Sequence, residues 1–347
     1  MPVTAKDDWL TNALSSLASK TDPAGDGPQV WLSGDSLHER LLGGPTKASD
    51  KPARWSFRAC GHHPREWPKP AGAGAGWLPA VYELLRLWAT VEFESDAEVD
   101  ADLLTKEIES IAKAPGWSAL RDALGRRAAV VAYRNATSAG TPVAPTAFVL
   151  SDPSINGGSV EKKSPSAYAK LVNEWAKPVP GDEPASVKAL NKSLNDSFQV
   201  WTRSELTKQV AIVDLDVIIW FPKASHTAGA ASRFALVELK RQTQSEAQAR
   251  DWGPYVDDSP NYMLARAATR YQQRPQAGVV DVVVNYFRDQ QPPYRCWVHL
   301  LSSVSLTEIV GVRHEVSGDT ADACALGLLA RIDELLGQPF TSRRTRK

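Results

Sequence analysis

The chain has 347 residues, more than the ~100–200 of a typical domain, so two domains are expected. It is 43% hydrophobic and 23% charged, with 40 Lys and Arg against 40 Asp and Glu. These figures exclude a wholly disordered chain, a fibrous repeat and a protein that coats nucleic acid by bulk charge, while leaving the local distribution of charge open.

In chain order, residues 8–18 carry a short amphipathic helix pattern, and turns at 25–28, 43–45 and 64–70 break the sequence before an alternating Ala/Gly run over 71–76. Leu78, Val81, Tyr82, Leu84, Leu85, Leu87, Trp88 and Val91 recur at helical spacing and predict a long buried helix. Helices are also predicted over 99–113, 117–125, 165–175 and 185–205, short strands over 128–133 and 146–150, and a Gly/Ser loop over 151–163. A boundary near residue 180 divides the chain into a mainly helical N-terminal region, 1–180, for recognition, sensing or oligomerisation, and a second domain, 181–347.

Residues 210–221 are β-branched and apolar apart from two aspartates, end at Pro222, and read as one strand. A second strand is predicted over 233–239, a helix over 260–273, strands over 279–287 and 295–304, and an amphipathic helix over 320–336. The pattern describes an α/β, more strictly α+β, fold with a central mixed β-sheet flanked by helices. Cys60, Cys296 and Cys324 are odd in number and widely spaced, which fits a reducing compartment, and Cys60-Gly61-His62-His63 lacks the second ligand pair of a zinc site. No signal-peptide core and no membrane-length apolar run are present, so a soluble, cytoplasmic protein without a membrane partner is expected.

Charges are seldom buried unless paired or bound to a metal. Asp216 stands inside one predicted strand, and Glu238 and Lys240 at the end of the next. Alternation along a strand puts Glu238 and Lys240 on one face, about 6.5–7 Å apart, with Val237 and Leu239 on the other. A hairpin would bring Asp216 beside Glu238, where the two carboxylates need a cation.

An Asp on one strand and a Glu-x-Lys at the end of the next, followed by a helix and a further strand, resembles the PD-(D/E)XK nuclease superfamily with its restriction-endonuclease-like fold. The matching stretch, 210–287, is about 80 residues long, and Leu215 stands where the family pattern has proline. The resemblance implies a Mg²⁺-dependent endonuclease, with Mn²⁺ able to substitute, that hydrolyses phosphodiester bonds in double-stranded DNA, in restriction or anti-phage defence, and works as a homo-oligomer. It implies Asp216, Glu238 and Lys240 as the catalytic set. Asp216, Glu238 and the Leu239 carbonyl would hold the metal, and Lys240 would orient the attacking water or help deprotonate it. Asp214, Glu205 and Gln242 are further candidates for the same site.

Arg266, Arg270 and Arg274 recur every four residues in the acid-free stretch 259–274 and read as a stripe that tracks a phosphate backbone, with Arg343, Arg344, Arg346 and Lys347 as a basic tail. Glu161-Lys162-Lys163 also fits Glu-x-Lys, but in a predicted loop with no strand before it. Two other readings stand beside the nuclease: a non-catalytic nucleic-acid-binding or scaffold protein with the same fold, and an RNA-directed nuclease. The complete Asp/Glu/Lys set favours an enzyme.

Overall fold

The computed structural model describes residues 8–20, 27–33, 54–62, 83–93, 105, 108–109, 111–138, 141–176, 196–207, 210–222, 232–269, 278–304 and 308–337. The first part of the chain contains α1 (Trp9–Lys20), β1 (Gln29–Leu32), β2 (Arg54–His62), β3 (Glu83–Phe93), α2 (Pro115–Ala123), β4 (Ala128–Arg134), β5 (Ala136–Ser138), β6 (Thr141–Val143), β7 (Phe148–Ser151) and β8 (Val160–Lys163). There follow α3 (Pro165–Ala176), α4 (Ser197–Glu205), β9 (Val210–Leu215), β10 (Val217–Phe221), β11 (Arg233–Gln242), α5 (Glu246–Asp251), α6 (Ser259–Ala268), β12 (Val279–Phe287), β13 (Tyr294–Val304), β14 (Ile309–Gly318) and α7 (Ala321–Gly337).

The fold is α+β, built on two six-stranded mixed sheets and a two-stranded ribbon of β5 and β6. The first sheet has the order β1-β10-β11-β12-β13-β14, with β11 and β12 parallel and the other neighbours antiparallel. In the second sheet the order is β8-β7-β4-β3-β2-β9, with β3 and β4 parallel. The stretch predicted as one strand over 210–221 is therefore two strands in two sheets. Leu215 pairs with Phe57 of β2, Val217 pairs with Val237 of β11, and Asp216 lies at the break.

Ser33, just after β1, pins that break. Its N–H donates to the Asp216 carbonyl at 2.8 Å, and its hydroxyl donates to the Leu215 carbonyl at 2.6 Å while accepting from the Phe57 N–H at 3.1 Å.

The sheets share a core. Trp31, Ile218, Trp220, Phe234 and Leu236 of the first face Phe57, Leu87 and Val91 of the second, with Trp117 of α2 and Leu264 of α6 between them. The other face of the first sheet is covered by α1 and α7 through Leu10, Leu14, Leu328 and Ile332, and the outer face of the second by α3 and α4 through Tyr168, Phe198 and Trp201. No helix among the described residues is long and apolar enough to cross a membrane.

Burial on both faces explains the main departures from the sequence expectation. Residues 83–93 form strand β3, where helical spacing predicted a helix; ten of its eleven positions are buried, with Leu87, Ala89, Val91 and Phe93 on one face and the buried Arg86, Trp88, Thr90 and Glu92 on the other. Among its described residues the region before residue 180 is consequently not mainly helical, since it supplies β1 to β8. Nor do the sheets divide at 180: α1 and β1 complete the first sheet, while β9 closes the edge of the second. The predicted loop over 151–163 contains β8, an edge strand. β14 escaped the sequence reading because it is a largely exposed edge in which two glycines and the run Arg313, His314 and Glu315 interrupt the apolar residues.

One buried ion network ties the second sheet to α4. Arg58 is 1% exposed and pairs with Asp196 and, across the β2–β9 ladder, with Asp214 at 3.0 Å. Asp196 also caps α4 by accepting the Gln199 N–H at 2.8 Å. Burial works against the Arg58 charge, and Asp196 and Asp214 outweigh it. Arg58→Met should therefore lower stability by about 3–5 kcal/mol in urea denaturation, because Asp196 is left buried and uncompensated. Lys113→Met, which removes the exposed ion pair with Glu109, should change it by about 0–1 kcal/mol. A loss at Arg58 no larger than at Lys113 would show that the buried network adds nothing net.

Candidate active site

The antiparallel register of β10 and β11 ends at Val217 opposite Val237, so Asp216 lies beside the next residue of β11, Glu238. In β11, Phe234 and Leu236 point into the shared core, which puts Glu238 and Lys240 on that same face farther along the strand. Beyond Val237 the edge of β11 has no β10 ladder, and the Asp216 side chain takes its place: its Oδ2 accepts the Leu239 N–H at 2.7 Å. A strand residue directs its N–H and C=O to the same edge, so the Leu239 carbonyl also faces the Asp216 side.

Lys240 Nζ lies 3.0 Å from Glu238 Oε1, 3.3 Å from Asp258 Oδ2 and 5.6 Å from the centre of the Tyr262 ring. Burial pulls the lysine toward neutrality, but Glu238, Tyr262 and Asp258 outweigh it and hold its pKa above the ordinary value. With no cation at Glu238, Lys240 is thus an ammonium held between two acids, a state suited to orienting a water and stabilising charge.

Asp258 was not expected from the sequence. It closes a 3₁₀ turn, Val256–Asp258, that leads into α6 with proline in the first turn; in that conformation its carboxylate makes no capping bond, and it contacts Lys240. That contact joins residues 18 positions apart and has no local sequence signal.

The wall of the site beyond Lys240 is polar and buried. Asn285 of β12, in register with Lys240, donates through Nδ2 to the Ala249 carbonyl and accepts at Oδ1 from His299 Nε2 at 2.7 Å. Trp252 stands edge-on to His299, with ring centres 5.1 Å apart. These contacts hold α5 and the segment after it against the sheet. Burial, helped by the Arg313 charge, pushes the His299 pKa down to about 4.

The remaining candidates lie elsewhere. Asp214 belongs to the second sheet and is engaged by Arg58, so the break at Asp216 separates two residues that the single-strand reading put on one face. Glu205 is an exposed helix end whose backbone carbonyl accepts from Asn173. Gln242 is half-buried on the Lys240 face, two residues farther along β11. Arg266 turns inward, donating to the Leu301 carbonyl at 3.1 Å and to the Ser302 carbonyl, so it fastens α6 to β13 where a phosphate contact was expected. Arg270, Arg274 and the basic tail lie outside the described residues.

Glu161 and Lys163 form an ion pair at 3.1 Å, much like that of Glu238 and Lys240. A Glu-x-Lys pair on an edge strand is therefore no marker by itself. What differs is the neighbour: Glu161 stands opposite Leu150, whereas Glu238 has Asp216 next to its strand and Asp258 above it.

Among the described residues no group of three or more His, Cys, Asp or Glu is placed to hold a metal ion, and the three cysteines are buried free thiols. The site offers two carboxylates and a backbone carbonyl. That set fits Mg²⁺, which is usually bound through one or two carboxylates, keeps several waters and takes substrate phosphate oxygens, and it does not suit a metal that needs a full protein cage. No known family model matches the chain, and no curated protein sequence matches it.

The His299 shift makes stability pH-dependent. A histidine whose pKa is lower folded than unfolded contributes fully above its ordinary value of about 6.5, and that contribution is lost as pH falls toward 4. Urea midpoints of the wild-type chain should drop across this interval. His299→Gln, which keeps a donor for Asn285, should flatten the drop; an unchanged pH profile would show that His299 is not its source.

Proposed function

We propose that the chain is a Mg²⁺-dependent nuclease of the PD-(D/E)XK type that hydrolyses phosphodiester bonds, with double-stranded DNA as substrate. The observation that carries this reading is the meeting of Asp216, Leu239, Glu238 and Lys240 at the end of one antiparallel strand pair, closed by the Asp216 to Leu239 N–H bond of 2.7 Å. The order of elements supports it too, since β11 is followed by helices α5 and α6 and then by the parallel strand β12.

In this reading Asp216, Glu238 and the Leu239 carbonyl hold the cation. When bound, it would make a water more acidic and neutralise charge developing on the phosphate. Lys240 keeps its proton at Nζ and supplies a positive charge, aimed from a partly desolvated position, for the non-bridging phosphate oxygens. Asp258 and the Tyr262 ring contact it independently of Glu238 and limit its freedom as the phosphate approaches. Work in restriction or anti-phage defence, in the cytoplasm and as a homo-oligomer that cuts both strands, follows from the resemblance and belongs to the same proposal.

Purified protein should cleave plasmid DNA in Mg²⁺ or Mn²⁺ and not in EDTA. Glu238→Ala and Lys240→Ala should each reduce the rate by about 10²–10³-fold or more. Activity that survives either substitution would refute the assignment. Cleavage of RNA with DNA left intact would move the substrate to RNA, and DNA binding without cleavage would favour the non-catalytic reading.

A further inference from the structure

Asp258 ends a 3₁₀ turn, Val256–Asp258, that runs directly into α6; with φ −89° and ψ 0° its backbone lacks the extended N-cap conformation, so its carboxylate is not directed at the N–H groups of the first turn. It reaches Lys240 Nζ at 3.3 Å, while the same ammonium lies 3.0 Å from Glu238 Oε1. One lysine is therefore shared by two acids on different elements, and the three side chains are only 15–20% exposed. Glu238 stands next to Asp216 in the strand register, whereas Asp258 approaches from the helix that covers the sheet.

A divalent cation at Glu238 and the Lys240 ammonium would compete for the same carboxylate. With Glu238 as its sole acceptor, the lysine would either oppose the cation or leave the site. We propose that Asp258 is a positioning residue that receives Lys240 when a divalent cation takes Glu238, so that the lysine stays beside the reacting phosphate without resisting the cation. The inference rests on Glu238 being a cation ligand. The Tyr262 ring, 5.6 Å from Nζ, flanks the lysine in this half-buried corner.

The test measures Mn²⁺ binding to the full chain by calorimetry or electron paramagnetic resonance, with no nucleic acid present. Asp258→Asn should weaken binding about tenfold, since the lysine then remains on Glu238. Lys240→Met should tighten it. In the Lys240→Met background, Asp258→Asn should change the affinity by less than about twofold, because there is no lysine to relocate. Asp258→Glu, which keeps the carboxylate, should recover part of the loss and guards against misfolding of the asparagine variant. Unchanged binding in Asp258→Asn overturns the proposal. So does an equal loss in both backgrounds, which would mean that Asp258 acts only through its own field on the cation. If Glu238→Gln leaves Mn²⁺ binding intact, the underlying reading of the site fails instead, and the two failures are told apart by that one variant.

Discussion

The chain changes sheets at a single residue, and much of the structure depends on that constraint. Between Leu215, laddered to β2, and Val217, laddered to β11, Asp216 has its carbonyl held by Ser33 and its side chain held by the Leu239 N–H. A residue at such a break is not committed to either ladder, so its carboxylate can act as a substitute rung at the exposed end of β11. The apolar residues on both sides, from Val213 to Ile219, are buried and fix the two strands, leaving little freedom in where that carboxylate goes.

The site itself is an electrostatic compromise at the end of an apolar face. Phe234 and Leu236 fill the shared core, and the next two positions on that side of β11 are a glutamate and a lysine that pair with each other. Pairing satisfies both charges in a half-buried corner, where an isolated charge would be costly. A cation or phosphate arriving there meets groups that are already desolvated and oriented, and so exchanges partners instead of ordering a loose surface.

Asp216, Glu238 and Lys240 were legible in the sequence because polar residues in β-branched runs stand out, and strand alternation sets the face of Glu238 and Lys240. β12, β13, α3 and α7 were also read close to their observed limits, each being bounded by turns or carrying an unmixed period. Three things were not legible. The run from Leu84 to Phe93 alternates only from Arg86 onward, and Leu84, Leu85 and Trp88 break that alternation and fit helical spacing as well. The bend at Asp216 leaves no mark in composition, because Leu215 and Val217 are equally apolar partners for two different sheets. Asp258 reads as an ordinary helix cap, and only the tertiary structure turns it toward Lys240. Arg266 fails in the converse way: its spacing suggested a surface stripe, yet two carbonyls of β13 claim its guanidinium.

The bond from the Ser33 N–H to the Asp216 carbonyl, 2.8 Å long, has a topological meaning. The strands of the second sheet, from β2 to β9, all fall in the chain between β1 and β10 of the first, whose ends meet at this bond. At that junction stands the candidate ligand Asp216. The residue at which the chain re-enters the first sheet is therefore also the one whose carboxylate closes the end of β11.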